Sequence, residues 1–298
     1  MADAKQPAPE SANNGADGLA EGPEGDTPMS FFDHLAELRR RISRAFLALV
    51  LSAIVAYVFV DYITAFMWEP FGKAWESAGL EGEPTLLNLT ALDVILTDIW
   101  IALFAGIFAA APVIFYQLWM FIAPGLYAQE KRLVVPFVAT SAIMFVAGAA
   151  FCYYVVLPIA TEFFLTYAQK KTVVGTVAVH TAYTYADYAS YVMKVLFGFG
   201  LMFEMPLAVF FLSKAGIITY LSLLRHWKVA VLLITIASAV LTPPDPITIW
   251  LMGIPMTALY FISVAVSYVV SKPQVEAMRR LEAELAQRDD GDGDGDDE

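Results

Sequence analysis

The sequence predicts an all-α integral membrane protein with six transmembrane helices. Of its 298 residues, 58% are hydrophobic and only 16% are charged, and the mean hydropathy is +0.60. Soluble globular domains usually carry charge on about a quarter of their residues. A chain this apolar is therefore expected to lie largely within a lipid bilayer.

The two ends of the chain differ in composition from its middle. Residues 1–29 hold six acidic residues and one lysine, and residues 289–298 hold seven acidic residues, which together account for the formal net charge of -12. We predict a disordered acidic N-terminal tail over 1–29, a membrane domain over 30–272, and a cytoplasmic C-terminal segment over 273–298 with an acidic disordered tail. The neutral middle has no basic stripe, so no nucleic-acid partner is expected.

Six apolar runs account for the predicted transmembrane helices. A helix needs roughly 20 apolar residues to cross the hydrocarbon layer, and five runs reach that length. The fifth in chain order is short and covers only about 22 Å. The runs are Ala45–Met67, Ile99–Ile122, Leu133–Tyr167, Tyr188–Leu212, Trp227–Leu241 and Ile247–Val270.

Basic residues indicate the orientation of these helices. Six spans place both termini on one side, and the loops of the opposite side contain only Lys73, Lys170 and Lys171. The positive-inside rule then predicts that both termini are cytoplasmic. Lys194 lies within the fourth span, where its side chain can extend toward the outer interface.

The stretch SFFDHLAELRRRI, from Ser30 to Ile42, precedes the first span. Ser30 and Asp33 form a capping-box pattern, and the apolar residues behind them make one stripe, so we predict an amphipathic helix along the cytoplasmic interface. Its arginines can orient the first span, and Glu37 with Arg41 makes an ordinary helical ion pair. A functional role for Glu37 is the alternative.

The stretch FIAPGLYAQEKR, from Phe121 to Arg132, joins spans two and three. Pro124 and Gly125 should end the preceding helix, and Glu130 should begin the next one. An acidic residue in a first helical turn also complements the helix dipole. Glu130 can therefore be structural or functional.

Glu204 is the acidic residue buried deepest in a predicted span. It lies ten residues before Lys214, or about 15 Å along a helix. An acid near the bilayer centre costs around 3 kcal/mol and usually faces a cavity or a partner, which favours function over a protonated carboxyl bonded to a carbonyl released by Pro206. Gln117, inside the second span, can line the same face. Asp245, in the outer turn TPPDP, is better explained as a helix cap.

Catalytic signatures are missing from the sequence. The histidines lie in three separate segments, Cys152 is the single cysteine, and no phosphate-binding loop or nucleophile motif is present. We therefore expect no enzyme, cofactor or metal site. Two alternatives remain at this point: a small-molecule or proton-coupled transporter that uses Glu204 as its proton carrier, and, with little support, an intramembrane enzyme.

Four stretches taken together resemble the TatC family, the signal-receptor subunit of the twin-arginine protein translocase. They are HLAELRRRI, FYQLWMFIAPGLYAQEKR, FGFGLMFEMP and LTPPDPIT, and they follow in order across roughly residues 30 to 270. The resemblance implies a concave six-helix bundle in the cytoplasmic (inner) membrane, with both termini cytoplasmic and the last two helices short. The sixth apolar run is longer than that.

The resemblance also implies a function. The chain would be a membrane receptor that binds twin-arginine signal peptides of folded proteins and nucleates a translocation complex dependent on the proton-motive force. By matching position, Glu37, Arg39, Phe121 and Glu130 would bind the signal peptide, and Glu204 would line an intramembrane groove. Expected partners are single-span subunits of the TatA and TatB type, other copies of the chain, and membrane lipid.

Overall fold

A computed structural model describes residues 31–122, 134–169, 173–174, 177–178, 183–242 and 246–292. The architecture is helical, which confirms the predicted fold class. A π-helical turn, Cys152–Val156, joins α4 to α5, and strands β1 (Val173–Val174) and β2 (Val177–Ala178) pair as a short antiparallel hairpin. The helices are α1 (Phe31–Val58), α2 (Val60–Ser77), α3 (Ala91–Ile122), α4 (Val134–Phe151), α5 (Leu157–Gln169), α6 (Tyr185–Phe203), α7 (Met205–Lys214), α8 (Tyr220–Arg225), α9 (Trp227–Leu241) and α10 (Pro246–Asp292).

Five helical segments within the described residues are long and apolar enough to cross a membrane. They are α1, α3, α4 continued through α5, α6 continued through α7, and α10. The shorter apolar helix α9 has the bounds of the predicted fifth span, Trp227–Leu241. Each of the six apolar runs in the sequence thus corresponds to a helical segment.

The first span differs from its prediction at both ends. Helix α1 begins at Phe31 and runs unbroken to Val58, so the amphipathic N-terminal stretch continues the span instead of forming a separate interfacial helix. This stretch contains no proline or glycine to interrupt the helix. The predicted run continued to Met67, but the helix breaks at Phe59 and α2 buries its own apolar face, including Met67 and Phe71.

The last helix is also longer than predicted. The sixth apolar run ended at Val270, whereas α10 continues through Pro273 to Asp292, into the segment predicted to be disordered. The residues after Pro273 are mostly alanine, glutamate, leucine, glutamine and arginine, which are strong helix formers. Helix α9 matches the short fifth helix that the resemblance implies, and α10 does not match a short sixth.

Helix α3 contacts four other helices, and the later helices pack on one another. Helix α1 lies along α3, α4 contacts both α3 and α6, and α10 packs against α7 and α9. Helix α1 approaches α3 closely at Gly106, where an added Cβ would lie 2.8 Å from the backbone Cα of Ala53. Glycine allows the two backbones to approach this closely, which fixes the position of α1 on α3.

A cluster of aromatic side chains holds α3, α4 and α7 together. Phe115, Trp119, Phe145 and Phe211 are all buried there. The Trp119 ring meets the Phe211 ring edge-on with centroids 4.9 Å apart. The cluster lies beside the break between α6 and α7, so it positions the polar groups at that break.

Candidate functional site

Glu37 lies in the second turn of α1 and is tied to Arg41. One carboxylate oxygen, Oε1, accepts hydrogen bonds from Arg41 Nε at 2.9 Å and from Arg41 Nη2. The side chains of Arg41 and Glu37 are 14% and 18% exposed. The other oxygen, Oε2, is buried and has no hydrogen-bond partner among the described residues. Glu37 therefore retains an acceptor that a further cationic donor could use once the groups that cover Oε2 move aside.

The packing of α1 on α3 brings Glu37 close to the level of Phe121. Consecutive membrane-crossing helices run antiparallel, and these two meet at Ala53 and Gly106. From that contact, Glu37 lies about 24 Å along α1 and Phe121 about 22 Å along α3, at 1.5 Å per residue. Phe121 is half-buried. Glu37 therefore lies at the end of the bundle where the chain leaves α3.

Two other predicted recognition residues have different settings. The Arg39 side chain is exposed at the same end of α1, and its backbone carbonyl accepts a hydrogen bond from Ser43 Oγ at 2.9 Å. Glu130 belongs to the segment 123–133, which lies outside the described residues. Asp245, in the predicted outer turn, also lies outside them.

Glu204 is half-buried at the break between α6 and α7. Its carboxyl group interacts with the Ser141 hydroxyl and with the backbone of Phe145, both on α4. Its Oε1 atom is buried and has no hydrogen-bond partner in the part of the chain that the structure describes. The proline at the start of α7 keeps the helix from continuing in regular hydrogen bonding through this point.

Ser141 links Glu204 to a third helix. It is fully buried, and its Oγ accepts a hydrogen bond from Trp119 Nε1 at 2.9 Å. The three side chains form a polar network from α3 through α4 to the α6–α7 break. Sequence reasoning missed Ser141 and Trp119, because a lone serine or tryptophan in an apolar run does not reveal its partners.

Gln117 does not join this network. It is 8% exposed and its Oε1 atom has no hydrogen-bond partner among the residues described. Eleven residues separate it from Gly106, which on an ideal helix places the two about 20° apart, so Gln117 faces α1. Trp119 lies about 200° away around α3. Gln117 and Trp119 thus lie on opposite sides of α3, whereas the sequence analysis suggested that Gln117 can line the same face as Glu204.

These features define a class of protein. The chain is a multi-pass helical membrane protein that has a partly buried acid–base pair at one end of the bundle. It also has a carboxyl group held by polar neighbours inside the bundle.

Comparison with known proteins shows the family. The model of the family described as "Sec-independent protein translocase protein (TatC)" matches residues 33–255. The chain belongs to the TatC family and is a component of the twin-arginine protein translocase.

Relatives and solved structures agree with this assignment. The TatC protein of Campylobacter jejuni is 37% identical over 234 residues, which cover 78% of this chain and 91% of that protein. The TatC protein of Koribacter versatilis is 34% identical over 260 residues, 87% of this chain and 92% of that protein. A crystal structure of the twin arginine translocase receptor TatC superposes with a TM-score of 0.69 at 33% identity, covering 80% of this chain and 99% of that one.

Proposed function

We propose that this chain is the receptor and core of its translocase: it binds twin-arginine signal peptides of folded proteins and nucleates assembly of the complex. The observation that carries the proposal is the partly buried Glu37 carboxylate with its unused Oε2 atom. It lies at the same end of the bundle as Phe121, which is followed by the segment containing Glu130. A crystal structure similar to this chain is itself described as that of a receptor.

Two carboxylates suit a pair of arginines. Consecutive side chains of an extended peptide point in opposite directions, so Glu37 and Glu130 would each bind one guanidinium group. An arginine can offer a carboxylate two parallel hydrogen bonds, whereas a lysine presents a single compact charge. Because Arg41 already occupies Oε1 of Glu37, the incoming guanidinium would bind Oε2. The two-pronged pairing that favours arginine over lysine would therefore form at Glu37 only if Arg41 releases Oε1.

The proposal includes an orientation and a location. Arg39, Arg40 and Arg44 are exposed near the start of α1, and the positive-inside rule puts such a cluster in the cytoplasm. Both termini would then be cytoplasmic, in the inner membrane. Signal peptides reach the receptor from that side, before the cargo crosses the membrane.

Glu204 would serve a second contact, within the membrane. The carboxyl group and its Ser141 neighbour offer hydrogen bonds in a medium where partners are scarce. A single-span subunit of the TatA or TatB type, or an inserted signal peptide, would supply the other half of the contact. Self-association of the chain would complete the assembly.

The recognition site is tested by crosslinking a photoreactive signal peptide to the chain in membranes. Peptides with Arg-Arg and with Lys-Lys are compared for wild type, Glu37→Gln, Glu130→Gln and the control Glu282→Gln. Glu282 is an exposed acid on α10 at the same end of the bundle. We expect labelling that requires Arg-Arg, falls at least tenfold in the Glu37 and Glu130 variants, as expected for a lost charge-assisted pair, and is unchanged in the control.

Other outcomes would contradict the proposal. Equal labelling by both peptides would remove arginine selectivity, and full labelling in the Glu37 and Glu130 variants would remove the site. If the purified chain alone drove solute uptake into liposomes, and Glu204→Gln abolished this uptake, a transporter would replace the receptor.

A further inference from the structure

Lys194 is a positive charge inside a membrane-spanning segment, and it has no ion-pair partner among the residues that the structure describes. It is exposed on α6, nine residues after Tyr185, which is about 14 Å along the helix. It makes no hydrogen bond or ion pair with any residue that the structure describes. An ammonium group at such a depth is costly unless it reaches an anion or the interface.

The lysine lies in a groove between α3 and α6. The groove has a volume of about 420 Å³. The apolar wall of the groove includes Trp100, Phe104 and Phe197. Hydroxyl groups come from Thr97 and Ser190, toward the outer end of the two helices. None of the lining residues is acidic, so the groove combines one cation and two hydroxyls with a mainly apolar surface.

We propose that this α3–α6 groove binds one phospholipid from the leaflet that lies farther from the chain termini. Lys194 donates to the lipid phosphate, and Ser190 is close enough in the lining to add a hydroxyl donor. One acyl chain lies along Phe104 and Phe197. A phosphodiester is the anion that a bilayer supplies in quantity near this level, and the lysine side chain extends toward it from below.

The charge of the groove favours a lipid over a helix of a partner protein. A spanning helix would have to place an acidic residue opposite Lys194 inside the membrane, which is costly, whereas a phospholipid carries its anion in the headgroup. One acyl chain would then lie along the apolar wall of the groove. Trp100 is 60% exposed and lies nine residues into α3, the same distance that separates Lys194 from the start of α6, so its amphipathic indole is available to the lipid at the level of the lysine.

The proposal is tested by native mass spectrometry of the full-length, delipidated protein in detergent. Dioleoylphosphatidylglycerol is titrated against wild type, Lys194→Gln, Lys194→Arg and the control Lys73→Gln. Lys73 is exposed on α2, outside the groove, and already pairs with Glu69. We expect Lys194→Gln to weaken the first lipid-binding step by about tenfold, as for a lost charge-assisted hydrogen bond, while Lys194→Arg and Lys73→Gln bind as wild type.

Dioleoylglycerol, which lacks the phosphate, separates headgroup recognition from acyl-chain packing. Wild type should bind it more weakly than the phospholipid, and Lys194→Gln should bind the two lipids equally. Equal phospholipid binding by wild type and Lys194→Gln would overturn the proposal. So would a crosslink from Ser190 to a membrane-embedded carboxylate of a single-span subunit that depends on Lys194, since a protein would then occupy the groove. Neither result bears on signal-peptide crosslinking.

Discussion

Replacing Gly106 with alanine should force α1 away from α3. The new Cβ would lie 2.8 Å from both the Cα and the N of Ala53, whereas non-bonded carbon atoms prefer about 3.5–4.0 Å. The helices must therefore separate locally by roughly 1 Å. Because the obstacle is backbone, no side-chain rotation can relieve it, and overpacking of this kind costs about 1–3 kcal/mol.

The matched control is Gly72→Ala, in the interior of α2. An added Cβ at Gly72 meets nothing within 4 Å, so this variant should gain only the helix propensity of alanine, about 0.5–1 kcal/mol. Both variants gain that propensity, and the difference between them isolates the contact at Ala53.

Free energies of unfolding are measured in mixed detergent micelles by far-ultraviolet circular dichroism. We expect Gly106→Ala to lie about 1–3 kcal/mol below Gly72→Ala. Adding Ala53→Gly should restore stability only in part, because it removes the Ala53 methyl and leaves the backbone in place. Equal stability of Gly106→Ala and Gly72→Ala would refute the close contact, and with it the relative level of Glu37 and Phe121.

Three further predictions concern hydrogen bonds and pH. Ser141→Ala removes the acceptor of Trp119 Nε1 and should cost about 1–3 kcal/mol of unfolding free energy, with a shift in tryptophan emission; an unchanged spectrum would argue against the bond. Tyr153→Phe removes bonds to an α2 carbonyl at 2.7 Å and to Glu69 and should cost about 1 kcal/mol; a neutral effect would show that water replaces them. The hydrogen bond and charge of Lys73 hold the pKa of Glu69 below its ordinary value of 4.5. The small contribution of this pair to the free energy of unfolding should therefore be present above pH 4.5 and lost as the pH falls through the lowered pKa. The difference in unfolding free energy between wild type and Glu69→Gln should shrink on acidification. A difference that grows instead would contradict the lowered pKa of Glu69.

Apolar run length predicted where the long helical segments form, because the length that a span needs follows from bilayer thickness alone. The fifth run was predicted to the residue because TPP marks its end in the sequence. The break at Phe59 and the π-helical turn Cys152–Val156 carry no such mark, since their flanks are as apolar as the spans. Those features depend on tertiary packing: Tyr153, in the π turn, donates to the backbone of α2.

The candidate site was predictable only where one residue is unusual by itself. Glu204 stands out as an acid inside an apolar run. Its neighbour Ser141 comes from another helix, and the contact joins residues far apart in the sequence. The orientation of Gln117 could not be predicted, because it depends on where α3 meets α1, and the sequence does not indicate that Gly106 lies in that contact.

The length of α10 has an electrostatic consequence. From Val275, which is still buried, to Asp292 the helix advances about 26 Å, which is roughly three Debye lengths at physiological ionic strength. Charge on the acidic end of this helix is therefore strongly screened at the level where α10 leaves the bundle. A long helical spacer lets the chain carry a strongly negative helix end whose charge adds little to the field where α10 meets the bundle.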